Sequence, residues 1–120
     1  MAYIDGFLVP VPKAKIADYR KMARKAGKIW IEHGALLFTE CLEDDVKQGK
    51  WTSFPQAVKR KPDEVVMFSW IAFKSRKDRD RVNAKVMTDP RLAKMMTTKA
   101  PFDGKRMIFG GFKPIVELSR

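Results

Sequence analysis

One cysteine, Cys41, and one histidine, His33, stand in a chain of 120 residues. A single thiol cannot close an internal disulfide, and neither residue is numerous enough for a thiolate cluster or a histidine-rich metal site. Long apolar runs are also missing. No stretch reaches the roughly 18 residues needed to cross a bilayer, and the opening Met1-Ala2-Tyr3-Ile4-Asp5-Gly6 lacks the basic-then-apolar order of a signal peptide. We therefore expect a cytoplasmic protein with no membrane segment, no metal and no cofactor. Glycine-rich phosphate loops are absent as well: Gly110-Gly111-Phe112 lies inside an apolar segment and does not open a helix, so it is no dinucleotide fingerprint. Acids are scarce, 14 against 25 basic residues, for a net charge of +11. That imbalance favours an anionic partner, or simply a well-solvated basic surface.

The residues that are present describe one domain over 1–120, of α+β type. Tyr3 to Val11 reads as a buried strand, with Pro10 and Pro12 near its end. A helix from about Ala14 to His33 carries Ile16, Tyr19, Ala23, Ala26 and Trp30 on one stripe, and Gly34 falls where a left-handed cap belongs. Ala35 to Glu43 is a second strand. A long connection follows, with a helical turn around Gln56 to Lys59. Glu64 to Phe73 is the strongest strand signal. Ser75 and Asp78 have helix-start spacing, for a helix to about Met87. Asp89-Pro90 opens a short helix through Met96. Arg106 to Val116 is the last strand, in which Gly110-Gly111 suggests a bulge or a close backbone approach.

This order is the ferredoxin-like βαββαβ arrangement, an antiparallel sheet with helices on one face. Two helices can shelter only that face. Yet Val65, Met67, Ser69, Ile71 and Phe73 alternate with Val66, Phe68, Trp70 and Ala72, so both sides of the third strand are largely apolar. The simplest cover for the second side is another copy, which predicts a homodimer through the open sheet face. The alternative is a monomer whose 44–62 connection or terminus folds across that side.

Five stretches resemble the YbaA-like family of small bacterial proteins of unknown function: YIDGFLVPVP, ECLEDDV, PDEVVMFSWI, NAKVMTDPR and PFDGKRMIFGGF. They extend from Tyr3 to Phe112, and the last is the most distinctive. The resemblance implies a dimeric α/β barrel in which two sheets pack face to face. It implies no reaction and transfers no catalytic residue, so the catalytic set is unknown.

Candidate ligand-binding residues come from chemistry alone. His33, three residues after Trp30, is either a base at the mouth of a helix–sheet cavity or a helix-end residue favoured by the dipole. Asp5 and Glu40 are acids within apolar strands, where a carboxylate needs a partner or a raised pKa. Either would otherwise lie at a wet edge or pair with an arginine such as Arg106. Trp70, Phe68, Phe109 and Met107 would line a pocket for a flat ligand or form plain core. Cys41 reads as a buried, inert thiol.

Three functions are compatible with these residues. The first is a homodimer that binds a small organic or anionic ligand between sheet and helices, with His33, Glu40 and Trp70 in the lining, as a binding protein or a cofactor-independent enzyme. If those three lie on separate surfaces, that pocket fails. The second is RNA binding through Lys13, Lys15, Arg20, Lys21, Arg24, Lys25 and Lys28 around the first helix. The third is a non-catalytic structural or regulatory dimer.

Overall fold

Tyr3–Pro12 forms β1, the strand against which two others pair. The computed structural model describes residues 2–97 and 99–120. A 3-10 turn leads into α1 (Ile16–His33). Its end follows from Gly34, whose φ of 122° suits a residue without Cβ. There the Gly34 N–H bonds to the Ile31 carbonyl and the Ala35 N–H to the Trp30 carbonyl. The cap takes Ala35 out of the expected second strand, which begins later as β2 (Leu37–Leu42). The connection beyond it contains α2 (Phe54–Ala57), capped by Ser53. β3 (Glu64–Phe73) has the bounds expected from its apolar run. α3 (Arg76–Met87) is capped by Ser75, whose Oγ accepts from the Asp78 N–H at 3.0 Å. α4 (Pro90–Met96) is capped by Asp89. β4 (Ile108–Phe112) is shorter than expected. Arg106 is drawn into a 3-10 turn, and Phe112 already pairs with Ile4, near the start of β1.

The four strands are all antiparallel and lie in the order β2-β3-β1-β4. The sheet is open. This corrects the closed dimeric α/β barrel that the resemblance implied: β2 and β4 are outer strands separated by two others, and closure requires the outer strands to pair. What the chain builds is an α+β arrangement of an open sheet with helices packed on it. No bulge interrupts β4, since Gly6 faces Gly110 and Asp5 faces Gly111 in unbroken register. The glycine pair instead permits a close approach, because a Cβ on Gly111 would collide with the Tyr3 side chain.

The helix-side face carries two apolar cores. Ile29, Ala35, Ile71, Phe73, Val82, Val86 and Leu92 form one, beneath α3, α4 and the end of α1. Val9, Val11, Tyr19, Ala23 and Met67 form the other, beneath the start of α1. Each fully buried Val or Phe contributes about 1.5–3 kcal/mol. The opposite face is less complete. Phe54 packs on Phe68, with ring centroids 5.7 Å apart, and Pro10, Val58 and Val66 are buried. The 44–62 connection thus reaches over one end of that face. Beyond it Phe68 is 43% exposed and Phe112 63%. The second face is therefore apolar but largely wet in the single chain, not buried as its composition suggested.

Candidate functional site

A cavity of about 820 Å³ lies between the helices and the sheet. Members of both cores form its walls, so it is the gap that divides them. Phe7, Val9 and Ile71 supply the sheet side, and Met22, Ala23, Ala26 and Trp30 the α1 side. Leu92, Met95, Met96 and Phe102 close over it from α4 and the following loop. Its polar groups gather at two places.

At the first, Asp5 is only 5% exposed. Arg79 Nη1 donates to its Oδ1 at 3.0 Å and Asn83 Nδ2 to its Oδ2 at 3.1 Å. Asn83 Oδ1 in turn accepts from Trp30 Nε1 at 2.9 Å. The Arg79 guanidinium also lies over the Tyr3 ring, 4.9 Å from its centroid. The register explains the assembly. Asp5 sits on the helix-side parity of β1, and Arg79 and Asn83 are one turn apart on α3, so both reach the same carboxylate. The partner of Asp5 is therefore Arg79 and not Arg106, which forms a two-pronged pair with the buried Glu64, each contact 2.7 Å.

At the second, Tyr19 donates its hydroxyl to Glu40 Oε1 at 2.8 Å. Glu40 shares the face of Ser69, its cross-strand neighbour. Burial pushes the Glu40 carboxyl above its ordinary value, although hydrogen bonds from Tyr19 and Ser69 pull the other way. Burial and the adjoining Glu40 charge push the Tyr19 phenol up, so it stays protonated and donates. No guanidinium or ammonium is hydrogen-bonded to this carboxyl among the described residues. Tyr19, Ala23, Phe38 and Glu40 also line a smaller cavity of about 550 Å³. The pair forms part of the partition between the two spaces.

The structure brings together three of the five residues singled out from sequence: Asp5, Glu40 and Phe109 line the larger cavity. Phe109 stands on the edge strand β4, stacked on Phe7 at 6.1 Å. His33 and Trp70 lie elsewhere, so the pocket imagined from His33, Glu40 and Trp70 does not form. His33 caps off α1 at the surface, with Nε2 2.7 Å from Asp89 Oδ2. Arg91, with His33, holds the Asp89 carboxyl well below the usual range. Trp70 points to the open face, edge-on to Phe68 at 5.6 Å. Met107 also lines the cavity. Cys41 is half-buried and opposes Phe68 on the open face. Sequence reasoning missed Arg79 and Asn83, whose signal was only their one-turn spacing. It placed Tyr19 on the apolar stripe without giving it a polar role. Among the described residues no cluster of three or more His, Cys, Asp or Glu side chains could hold a metal ion. No described helix is long and apolar enough to cross a membrane.

An open antiparallel sheet with a cavity under its helices defines a class of small α+β proteins, and the comparisons specify it further. Residues 2–104 match the family described as a protein of unknown function (DUF1428). The chain is 50% identical over 117 residues to the uncharacterized protein YbaA of Escherichia coli K12 and to that of Shigella flexneri, covering 98% of this chain and 99% of each relative. The chain belongs to this YbaA-like family. Two solved structures share the fold alone. An uncharacterized NIPSNAP domain protein from Burkholderia xenovorans superimposes with a TM-score of 0.59 at 11% identity, covering 98% of this chain and 99% of that one. Rv0793 from Mycobacterium tuberculosis gives 0.54 at 12% identity, over 99% and 100% of the two chains.

Proposed function

We propose that this protein binds a small organic molecule in the larger cavity, and that it does so as a homodimer joined through the open face of the sheet. The observation that carries the binding reading is the cavity itself. Its volume of about 820 Å³ lies within the several-hundred-Å³ range of small-molecule sites, and its apolar walls with few convergent polar groups have the composition of such sites. Glu40 with Tyr19 supplies a polar contact that can accept or release a proton. Arg79 and Asn83 are committed to Asp5, Trp30 is committed to Asn83, and together they fix the opposite wall.

The test is a neutral fluorescent probe, N-phenyl-1-naphthylamine, titrated into the wild-type protein and into Ala26→Trp. Ala26 is half-buried and lines the cavity, so the indole fills space with little disturbance of either core. Saturable fluorescence enhancement, lost in Ala26→Trp while its circular dichroism is unchanged, is expected. Equal enhancement in both proteins overturns the reading.

The dimer reading rests on the face turned away from the cavity. Its positions on β1 and β3 are Ile4, Gly6, Leu8 and Pro10 beside Val66, Phe68, Trp70 and Ala72, all uncharged, and at one end Pro12 beside Glu64, which is buried and paired with Arg106. Leu37, Ile108 and Phe112 extend the patch and are each more than 40% exposed. Covering each such side chain is worth about 1 kcal/mol or more. A net charge of +11 makes two copies repel. Apposing their uncharged faces keeps the basic helices outermost, so a second copy suits the patch. Light scattering at micromolar concentration should give twice the chain mass for wild type and one chain mass for Phe68→Lys. Wild-type particles of one chain mass refute the dimer.

A second reading has one specific observation behind it. Lys13, Lys15, Arg20, Lys21, Arg24, Lys25 and Lys28 are all exposed, which leaves a basic face free for a nucleic-acid backbone. Retention on RNA that discriminates between sequences, and falls steeply with salt, would favour it over mere basicity.

A further inference from the structure

We propose that the ligand of the larger cavity is an amphipathic organic anion, with an apolar body inside and its acidic group held at the mouth by lysines of α1. This rests on the binding reading above and names the ligand class. Three observations carry it.

The first is the distribution of methionine. The chain has seven, and five of them, Met22, Met87, Met95, Met96 and Met107, line this one cavity. Methionine is unbranched and polarizable, so a wall built from it adapts to flexible or variable apolar bodies. A rigid site for one polar metabolite would instead be lined with fixed hydrogen-bonding groups.

The second is that charge inside the cavity is paired at one end and disfavoured by burial at the other. Asp5 is neutralised by Arg79 at 3.0 Å. Glu40 takes a hydrogen bond from Tyr19, and burial favours its protonated form. The interior therefore offers a cationic head group no unpaired carboxylate of full strength.

The third is the rim. Lys15, Lys21 and Lys25 on or beside α1, and Lys99 on the loop after α4, are exposed and line the same cavity. Among the described residues none of the four takes part in a salt bridge. Asp18 is the one acid beside them in the lining outside the interior pair. Four ammonium groups against one carboxylate attract an anion to the mouth and repel a cation. Lys21 and Lys25, four residues apart, lie on one side of the helix and can share one acidic group.

The experiment is calorimetric titration with dodecanoate, dodecanol and dodecyltrimethylammonium at neutral pH, each below its micelle concentration. Proteins are the wild type, Ala26→Trp and the double variant Lys21→Glu/Lys25→Glu, with folding checked by circular dichroism. Dodecanoate should bind about tenfold more tightly than dodecanol, and the ammonium compound most weakly. The double variant should lose about tenfold for dodecanoate with dodecanol unchanged, and salt should weaken dodecanoate alone. Dodecanol binding as well as dodecanoate, blocked by Ala26→Trp, leaves the cavity reading intact and overturns the anion assignment. Binding of dodecanoate that persists undiminished in Ala26→Trp, or no binding of any of the three, overturns both.

Discussion

The two polar ends of the cavity treat a carboxylate in opposite ways. Asp5 is enclosed by a guanidinium and a carboxamide, which are themselves tied to Tyr3 and Trp30. Glu40, across the cavity, has only hydroxyl neighbours, and burial raises its pKa. The contrast separates structure from availability. A carboxylate whose acceptor sites are matched to fixed donors holds the walls in place and has little left to offer a ligand. A carboxyl supported only by neutral groups is left without a charged partner, and a ligand can supply one.

Removing a guanidinium sharpens the comparison most. Arg79→Met keeps the length of the side chain but leaves Asp5 buried with Asn83 alone, and breaking a buried pair from one side costs about 3–5 kcal/mol. The loss also removes the stacking on Tyr3. Denaturant unfolding should show it as a lower midpoint with an unchanged slope. A loss below about 1 kcal/mol would mean that Asp5 is not structurally compensated.

Glu64 gives the same test outside the cavity. Arg106 holds its carboxyl below the ordinary value near 4.5, with help from the Lys61 N–H. A depressed folded pKa means that this contribution is fully present above 4.5 and disappears as pH falls through the folded value. Arg106→Met should cost somewhat less than Arg79→Met, about 3 kcal/mol, because the Lys61 N–H remains. Its stability should depend less on pH across the acid limb than that of wild type. An acid limb identical to wild type would sever Glu64 from the pH dependence.

How much of this was legible depends on the range over which each feature is decided. β3 was readable because eight of its ten residues are apolar and the run is bounded by Pro62-Asp63 and Ser75, so local chemistry marks both ends. Gly34, Ser75 and Asp89 were readable as caps for the same reason. The partner of Asp5 was not, since it lies 74 residues away and the choice between Arg79 and Arg106 depends on how α3 rotates over the sheet. Glu64 was hidden by its position: an acid after Pro62-Asp63 reads as a wet strand start, and only tertiary closure by Arg106 buries it. His33 was misplaced by extrapolating the α1 stripe one step too far. The helix ends there, beyond the cavity wall, and the imidazole turns to the cap of α4. Trp70 was misplaced by parity, because nothing in a strand that is apolar on both sides says which side receives the helices.

The smallest expected effect is the most discriminating. Glu40 has a raised folded pKa, so the native state holds its proton more tightly than the unfolded chain does. The resulting stability is fully present below the ordinary value near 4.5 and is lost as pH rises through the folded value. Wherever the carboxyl is ionised its buried charge is a burden, and Glu40→Gln removes that burden while keeping an acceptor for Tyr19. The variant should match wild type at about pH 4 and be more stable by up to about 1 kcal/mol at about pH 8, as read from unfolding midpoints at both values. A Gln variant that loses as much as Arg79→Met would make Glu40 a second structural anchor, and the two ends of the cavity would then be alike. If it keeps its stability but binds dodecanoate with altered pH dependence, the carboxyl belongs to the ligand and not to the fold.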